Sequence, residues 1–229
     1  MSQIYADYNA TTPLLNVVKD YLHTQRLHGP FANPNSLHYL GNKIHQGIEH
    51  CRHLIGEKLD VDNTRLIFTS GSSESISTAF WMSIGQEILK KTSKTHIICS
   101  EIEHAAVIEV AKYWEKQGAT IHWIQCSTTG LVNIEQIEKL LIKYANSLAL
   151  VAVMAANNET GILQPFEKIA ELCRKHLVYY LCDTTQIIGK ITIPPSLQEG
   201  VFLCGSGHKL GAPLGSGFLL LPYKDQFQE

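Results

Sequence analysis

The strongest constraint in this sequence is an alternation. Short, almost unbroken apolar runs take turns with longer stretches whose apolar residues recur at helical spacing. The runs are RLIFT (65–69), HIICS (96–100), TIHWIQ (120–125), LALVAVM (148–154), VYYLC (178–182), VFLC (201–204) and GFLLL (217–221). A strand with one wet face alternates apolar and polar residues; a strand covered on both faces has no such need. Between the runs lie helical stripes. They are Leu37, Leu40, Ile44, Ile48 and Cys51; Ile76, Ala79, Phe80 and Ile84; Val107, Val110, Ala111 and Trp114; Ile134, Ile137, Leu140, Leu141 and Tyr144; and Phe166, Ile169, Ala170 and Cys173. Asn133 and Gln136 sit at the N-cap and N3 positions of the fourth. The region before Pro34 reads as one more helix, followed by the loop HGPFANPNS. The pattern predicts an α/β fold, a mostly parallel seven-stranded sheet flanked by helices.

In an open α/β sheet, ligands bind at the carboxyl ends of the strands. Five of the seven runs are followed by SGSSES, EIEH, AANNETG, DTTQ and GSGHK. They deliver Ser72, Ser73, His104, Asn158, Asp183, Gln186, Ser206, His208 and Lys209 to one edge. Each residue alone also has a plainer reading. SGSSES opens a helix, so its serines are either N-caps or donors to an anion at the positive helix end. It lacks the P-loop spacing, and no dinucleotide fingerprint is present. Asp183 ends a very apolar run, where a carboxylate needs a partner. It is either an N-cap or the counter-charge of a cationic ligand group. His104 is either a capping histidine or a ring that stacks on a ligand and moves protons. Lys209, between Gly207 and Gly211, is either a solvated loop lysine or an amine made nucleophilic by its surroundings.

One ligand would use all of these residues. Pyridoxal 5′-phosphate (PLP) needs a lysine for its aldehyde, an anion cradle for its phosphate and an acid near its ring nitrogen. An aspartate about 4 Å from that nitrogen gains ~4 kcal/mol at an effective dielectric near 20. That is about three pKa units in favour of the protonated ring.

Composition narrows the classes of partner. The 229 residues allow one large domain or two small ones, with 45% hydrophobic and 17% charged residues and a net charge of −2. No basic excess points to nucleic acid or an anionic membrane surface. No apolar run is long enough for a bilayer span, and MSQIYADYN lacks a signal-peptide layout. The six cysteines are scattered without CxxC pairs. They predict buried free thiols in a reducing cytoplasm and no zinc site.

Seven segments then carry a family resemblance. YADYNATTP, NPNSLHYLG, IFTSGSSESI, EIEHAAV, AANNETGILQP, CDTTQIIGK and GSGHKLGAPLGSGFL occur in the order found in cysteine desulfurases. These enzymes belong to the class V aminotransferase group of fold-type I PLP enzymes, and the resemblance covers nearly the whole chain. It implies that Lys209 bonds to the cofactor aldehyde and that Asp183 faces the ring nitrogen. Gln186 and Asn158 would contact the 3-hydroxyl, and His104 would stack on the ring and assist proton transfer. Ser72, Ser73, Ser206 and His208 would hold the phosphate, with Gly207 in the same loop. The implied reaction removes sulfur from L-cysteine, giving L-alanine and an enzyme persulfide in the service of iron–sulfur cluster assembly. The resemblance also implies a cytoplasmic homodimer and a sulfur-acceptor or scaffold protein.

Three departures stand out. Ser73 replaces the family's usual threonine but keeps its hydroxyl. Ala155 stands where a histidine often precedes the asparagine pair. The sequence closes at PYKDQFQE, whereas family chains continue into most of the small domain, the persulfide-forming cysteine loop and the substrate-carboxylate arginine. Residues 14–229 are thus expected to form the PLP-binding large domain. Residues 1–13 are expected to associate with the small domain and to expose apolar surface in its absence. Three functions fit: a desulfurase completed by further chain, an inactive scaffold, or another class V PLP enzyme such as an aminotransferase or selenocysteine lyase.

Overall fold

Burial on both faces decides the shape of this sheet. Successive side chains of a strand point to opposite sides. In the computed structural model, which describes residues 4–197 and 199–223, those sides belong to two separate cores. Ile98, Val151, Tyr180, Cys182, Val201 and Leu203 pack into one core. Their neighbours Ile97, Cys99, Leu150, Ala152, Leu181, Phe202 and Cys204 pack into the other. Fully burying a large apolar side chain contributes about 1.5–3 kcal/mol. The central strands therefore gain from an apolar residue at every position.

The elements run α1 (Asn16–His28), α2 (Tyr39–Leu59), β1 (Leu66–Thr69), α3 (Ser72–Phe80), α4 (Gln86–Leu89), β2 (His96–Ser100), α5 (Ala105–Lys116), β3 (Thr120–Ile124), α6 (Ile134–Lys143), β4 (Leu148–Ala152), α7 (Phe166–Lys175), β5 (Tyr179–Asp183), β6 (Val201–Ser206) and β7 (Gly217–Leu220). The seven strands form one sheet in the order β1-β7-β6-β5-β4-β2-β3. The β3, β2, β4, β5 and β6 strands are mutually parallel. Only β7 runs against its neighbours β6 and β1. The segment 207–216 is too short for a helical crossover, so the chain must turn back.

The α/β expectation holds, with the differences at element ends. The β5 strand starts one residue later than its apolar run and includes Asp183, which pairs with Cys204. The β6 strand continues through Gly205 and Ser206, because both pair with β7. Arg65 lies in a 3₁₀ turn rather than in β1. Asn133 caps α6 by accepting from Gln136 N–H at 3.0 Å, as its position predicts. Leu37 falls outside α2 and is exposed, because His38 takes the N-cap and accepts from Gly41 N–H.

The N-terminal third is the wettest part of the fold. No residue of α1 is buried. Ile4 and Tyr8 on the leading segment, Val17 and Tyr21 on α1, and Phe31 beyond it are all exposed. Apolar exposure on the leading segment was expected; its extension across α1 was not legible. Two cysteines also depart from expectation: Cys51 and Cys126 are exposed, and the other four are buried.

Candidate active site

The carboxyl ends of the strands open onto a cavity of about 330 Å³. Nine of the ten residues proposed from the sequence line it: Ser72, Ser73, His104, Asn158, Asp183, Gln186, Ser206, His208 and Lys209. Gly207 is the exception. It packs behind the wall, where a Cβ would meet Ser216 Oγ at 2.3 Å. Its part is to let the lysine loop close against the turn into β7, rather than to contact a ligand.

The anion cradle is the start of α3. Its N-cap is Gly71, at φ 155°, a conformation that side chains disfavour. Gly71 offers no capping side chain. The first-turn N–H groups therefore face the cavity at the positive end of the helix. Ser72 Oγ bonds Thr185 Oγ1 at 2.6 Å, which joins the cradle to the β5 end. Glu74 also lines the rim, but its carboxylate turns back onto Ser70 N and Oγ at 2.7 and 2.6 Å. Those bonds hold it below the usual carboxylate range.

Asp183 is buried at the end of β5. Its Oδ1 accepts from Thr185 N–H at 3.0 Å and from the Cys204 thiol at 3.3 Å. Both donors hold the same oxygen, which leaves Oδ2 for a cationic partner. Asp183 thus makes a turn bond and remains available to a ligand.

His104 is likewise both a cap and a wall residue. Its Nδ1 accepts from Ala106 N–H at 3.1 Å, making it the N-cap of α5. Nε2 is then the nitrogen that bears the proton. Asn157 explains why the second asparagine reaches the cavity. The Asn157 side chain donates to Ile102 O at 3.0 Å and accepts from Glu159 and Thr160 N–H at 3.0 and 2.9 Å. It folds the loop, and Asn158 beside it lines the cavity.

Lys209 is half-buried and donates from Nζ to the main-chain carbonyl of Asn9. Burial, then the nearby charge of Lys190, hold its amine below the usual lysine range; Asp183 and Asp7 act in the opposite sense. Gln186 Nε2 donates to the same Asn9 carbonyl at 3.1 Å, and Lys190 donates to Gln186 Oε1 at 2.9 Å. The leading segment is fastened to the lysine loop by Thr12, whose Oγ1 donates to His208 O at 2.8 Å and accepts from Gly211 N–H at 2.7 Å. His208 Nδ1 meets Thr11 Oγ1 at 3.1 Å, and burial followed by Lys209 lowers its pKa.

Sequence reasoning missed Thr185, Asn9, Glu103 and Cys204 as parts of this site. Thr185 was within reach, since it lies in the DTTQ segment already singled out. None of the six cysteines lines the cavity.

Comparison with known proteins places this geometry. The family model for class-V aminotransferases matches residues 4–228. A cysteine desulfurase, IscS, of Glaesserella parasuis is 34% identical over 218 residues, covering 94% of this chain and 52% of the relative. The mitochondrial cysteine desulfurase of Candida albicans is 33% identical over 215 residues, covering 93% and 43%. Among solved structures, a NifS-like protein superposes with a TM-score of 0.88 at 30% identity, covering 97% of this chain and 60% of its own. SspA in complex with cysteine superposes at 0.85 and 29%, covering 95% and 60%. The chain thus spans about half the length of the curated relatives it matches.

PLP is the cofactor of these relatives, and the cavity's donor set fits it. An uncapped helix start meets a phosphate, a carboxylate oxygen without a protein donor meets a ring N–H, and an amine of lowered pKa meets an aldehyde. The match over residues 4–228, with this arrangement at the strand ends, makes the chain a member of the class-V aminotransferase family, related within it to the cysteine desulfurases.

Proposed function

We propose that this chain is the cofactor-binding portion of a PLP-dependent cysteine desulfurase. Its substrate is L-cysteine, and its products are L-alanine and sulfur held as a persulfide. The observation that carries the reading is Lys209 and Asp183 on the same cavity as the uncapped start of α3. Residues 14–229 form the cofactor-binding domain, and residues 1–13 belong with a small domain. Cysteine as substrate draws support from the desulfurase relatives and from the cysteine complex of SspA.

When bound, the cofactor supplies an electron sink for the substrate's α-carbon. The residues around it would bind, orient and move protons. Lys209 would offer its amine to the aldehyde and, when free, would serve as a base for the substrate's α-proton. Asp183 Oδ2 would hold the proton on the ring nitrogen. Ser72, Ser73, Ser206 and His208 join the N–H groups of α3 in holding the phosphate. Asn158 and Gln186 orient the 3-hydroxyl. His104 would lie against the ring and could offer Nε2–H to a proton acceptor.

The thiol that accepts sulfur is not one of the cavity residues. Four of the six cysteines are buried. Among these, burial drives the Cys99, Cys173, Cys182 and Cys204 thiols far from the thiolate form. With the exposed Cys51 and Cys126 away from the cavity wall, the acceptor would come from further chain, a partner subunit or a separate sulfur-acceptor protein.

Titration with PLP tests the cradle. A visible absorption band should appear and be lost in Lys209→Ala. Supplying the sulfur-accepting region should then yield alanine from cysteine. Keto acids in place of alanine would favour an aminotransferase, and no band in either protein would favour an inactive scaffold.

A further inference from the structure

Glu103 is a buried acid that the reaction outlined above does not use. It precedes His104 and lies beneath the cavity rather than on its wall. Its Oε1 accepts from Ser100 Oγ at 2.5 Å and from Met154 N–H at 2.7 Å. The first bond closes the end of β2, and the second reaches the end of β4. The next N–H along, that of Ala155, donates to the main-chain oxygen of Asp183 at 2.9 Å. Asn157 adds a second tie to the same loop through Ile102 O at 3.0 Å. One carboxyl therefore sits where the ends of β2, β4 and β5 converge, one residue from the His104 ring.

We propose that Glu103 is a positioning residue: its buried carboxyl clamps the β2 and β4 ends together and so fixes His104 in relation to Asp183. The inference rests on the cofactor reading of this cavity and assigns a role to a residue outside its wall.

The clamp works as a neutral acid. Burial raises Glu103 to about 8; the bonds from Ser100 and Met154 pull the other way, and the charge of Asp183 pushes further up. The titratable groups facing it are Cys99 on β2 and Tyr180, Cys182 and Asp183 on β5. None of these is a cation. Two acids this close resist ionising together. Keeping Glu103 neutral leaves Asp183 as the single negative charge under the ligand ring. Glutamine should therefore substitute well at neutral pH, since its amide oxygen can accept the same two bonds. Alanine should not, because it leaves the Met154 N–H buried without its acceptor.

The test uses the full chain as wild type, Glu103→Gln and Glu103→Ala, with two readouts. The first is the His104 ring resonance in the protein without cofactor, assigned with His104→Gln. The second is the dissociation constant for PLP, from the absorption band, between pH 7 and 9. Glu103→Gln should keep the resonance and bind within about threefold of wild type at pH 7, whereas Glu103→Ala should shift the resonance and bind about tenfold more weakly. The affinity of Glu103→Gln relative to wild type should rise with pH through 8. An unshifted resonance in Glu103→Ala overturns the clamp, and an affinity ratio that is flat and far from one overturns the neutral acid. Should Glu103→Ala fail to fold, Ser100→Ala, which removes one side of the clamp, takes its place in the resonance test. If PLP binds none of the three, the cofactor reading falls, and the resonance in the unliganded proteins judges the clamp separately.

Discussion

Cys204 donates its thiol to Oδ1 of Asp183 at 3.3 Å, from the neighbouring strand and within the buried layer under the cavity. The same oxygen takes the Thr185 N–H. The carboxylate is thus gripped on one side and open on the other. In Cys204→Val the thiol donor is lost and the side chain grows by about one methyl group in a packed layer. Asp183 then keeps one donor and gains rotational freedom. A net hydrogen bond contributes about 1 kcal/mol, so PLP affinity should fall roughly fivefold. Cys204→Ser, which restores a donor, should recover most of that loss. Equal affinities for the valine and serine variants would show that the thiol does not hold Asp183.

Lys190 reaches Lys209 through charge rather than contact. It bonds Gln186 Oε1 at 2.9 Å, and its cation opposes protonation of Lys209. Replacing it by glutamine removes that repulsion, so the Lys209 amine should hold its proton to higher pH. Less free amine is then available at neutral pH. The rate of reaction with PLP, followed by absorbance against pH, should show its midpoint moved upward in Lys190→Gln. Burial is the larger cause of the lowered value, so the midpoint should still lie below that of a free lysine. An unmoved midpoint would remove Lys190 from the account.

The parts legible in the sequence were those set by local pattern. Strands buried on both faces announce themselves as apolar runs, and the residues following them fall at the ligand edge by topology. What escaped depends on distance along the chain. Asn9 meets Lys209 only because the leading segment crosses the sheet's edge and is tied down by Thr12. Glu103 reads locally as an acid opening a helix. Its burial follows from the end of β4 closing over it. Cys204 reads as strand interior, which it is; its bond to Asp183 requires the β5–β6 register as well. The reversed direction of β7 was within reach, since 207–216 is too short for a parallel crossover.

Glu103 also governs how stability changes with pH. Its value in the folded protein, about 8, lies above its ordinary 4.5. Between those values the unfolded chain has released the proton and the folded chain keeps it. The unfolded state therefore binds fewer protons, and stability falls as pH rises from about 4.5 to 8. Glu103→Gln has no proton to lose, so it should gain on wild type steadily across this window and no further above it. Urea unfolding of both proteins at several pH values measures the difference. A difference that does not vary with pH would mean that Glu103 is ionised in the folded protein.

The N-terminal third leaves an apolar face bare. Val17 is 71% exposed, Tyr21 62% and Phe31 75%, and α1 has no buried residue at all. Apolar residues this exposed, gathered on one helix and its following loop, mark a surface that is covered in use. The isolated chain should therefore associate as its concentration rises, seen as growing mass in light scattering. Val17→Glu with Tyr21→Lys adds charge to α1 without touching the sheet or the cavity. That pair should lower association while leaving the unfolding midpoint and the PLP band unchanged. A wild-type chain that stays monomeric at high concentration would show that α1 tolerates water on its own.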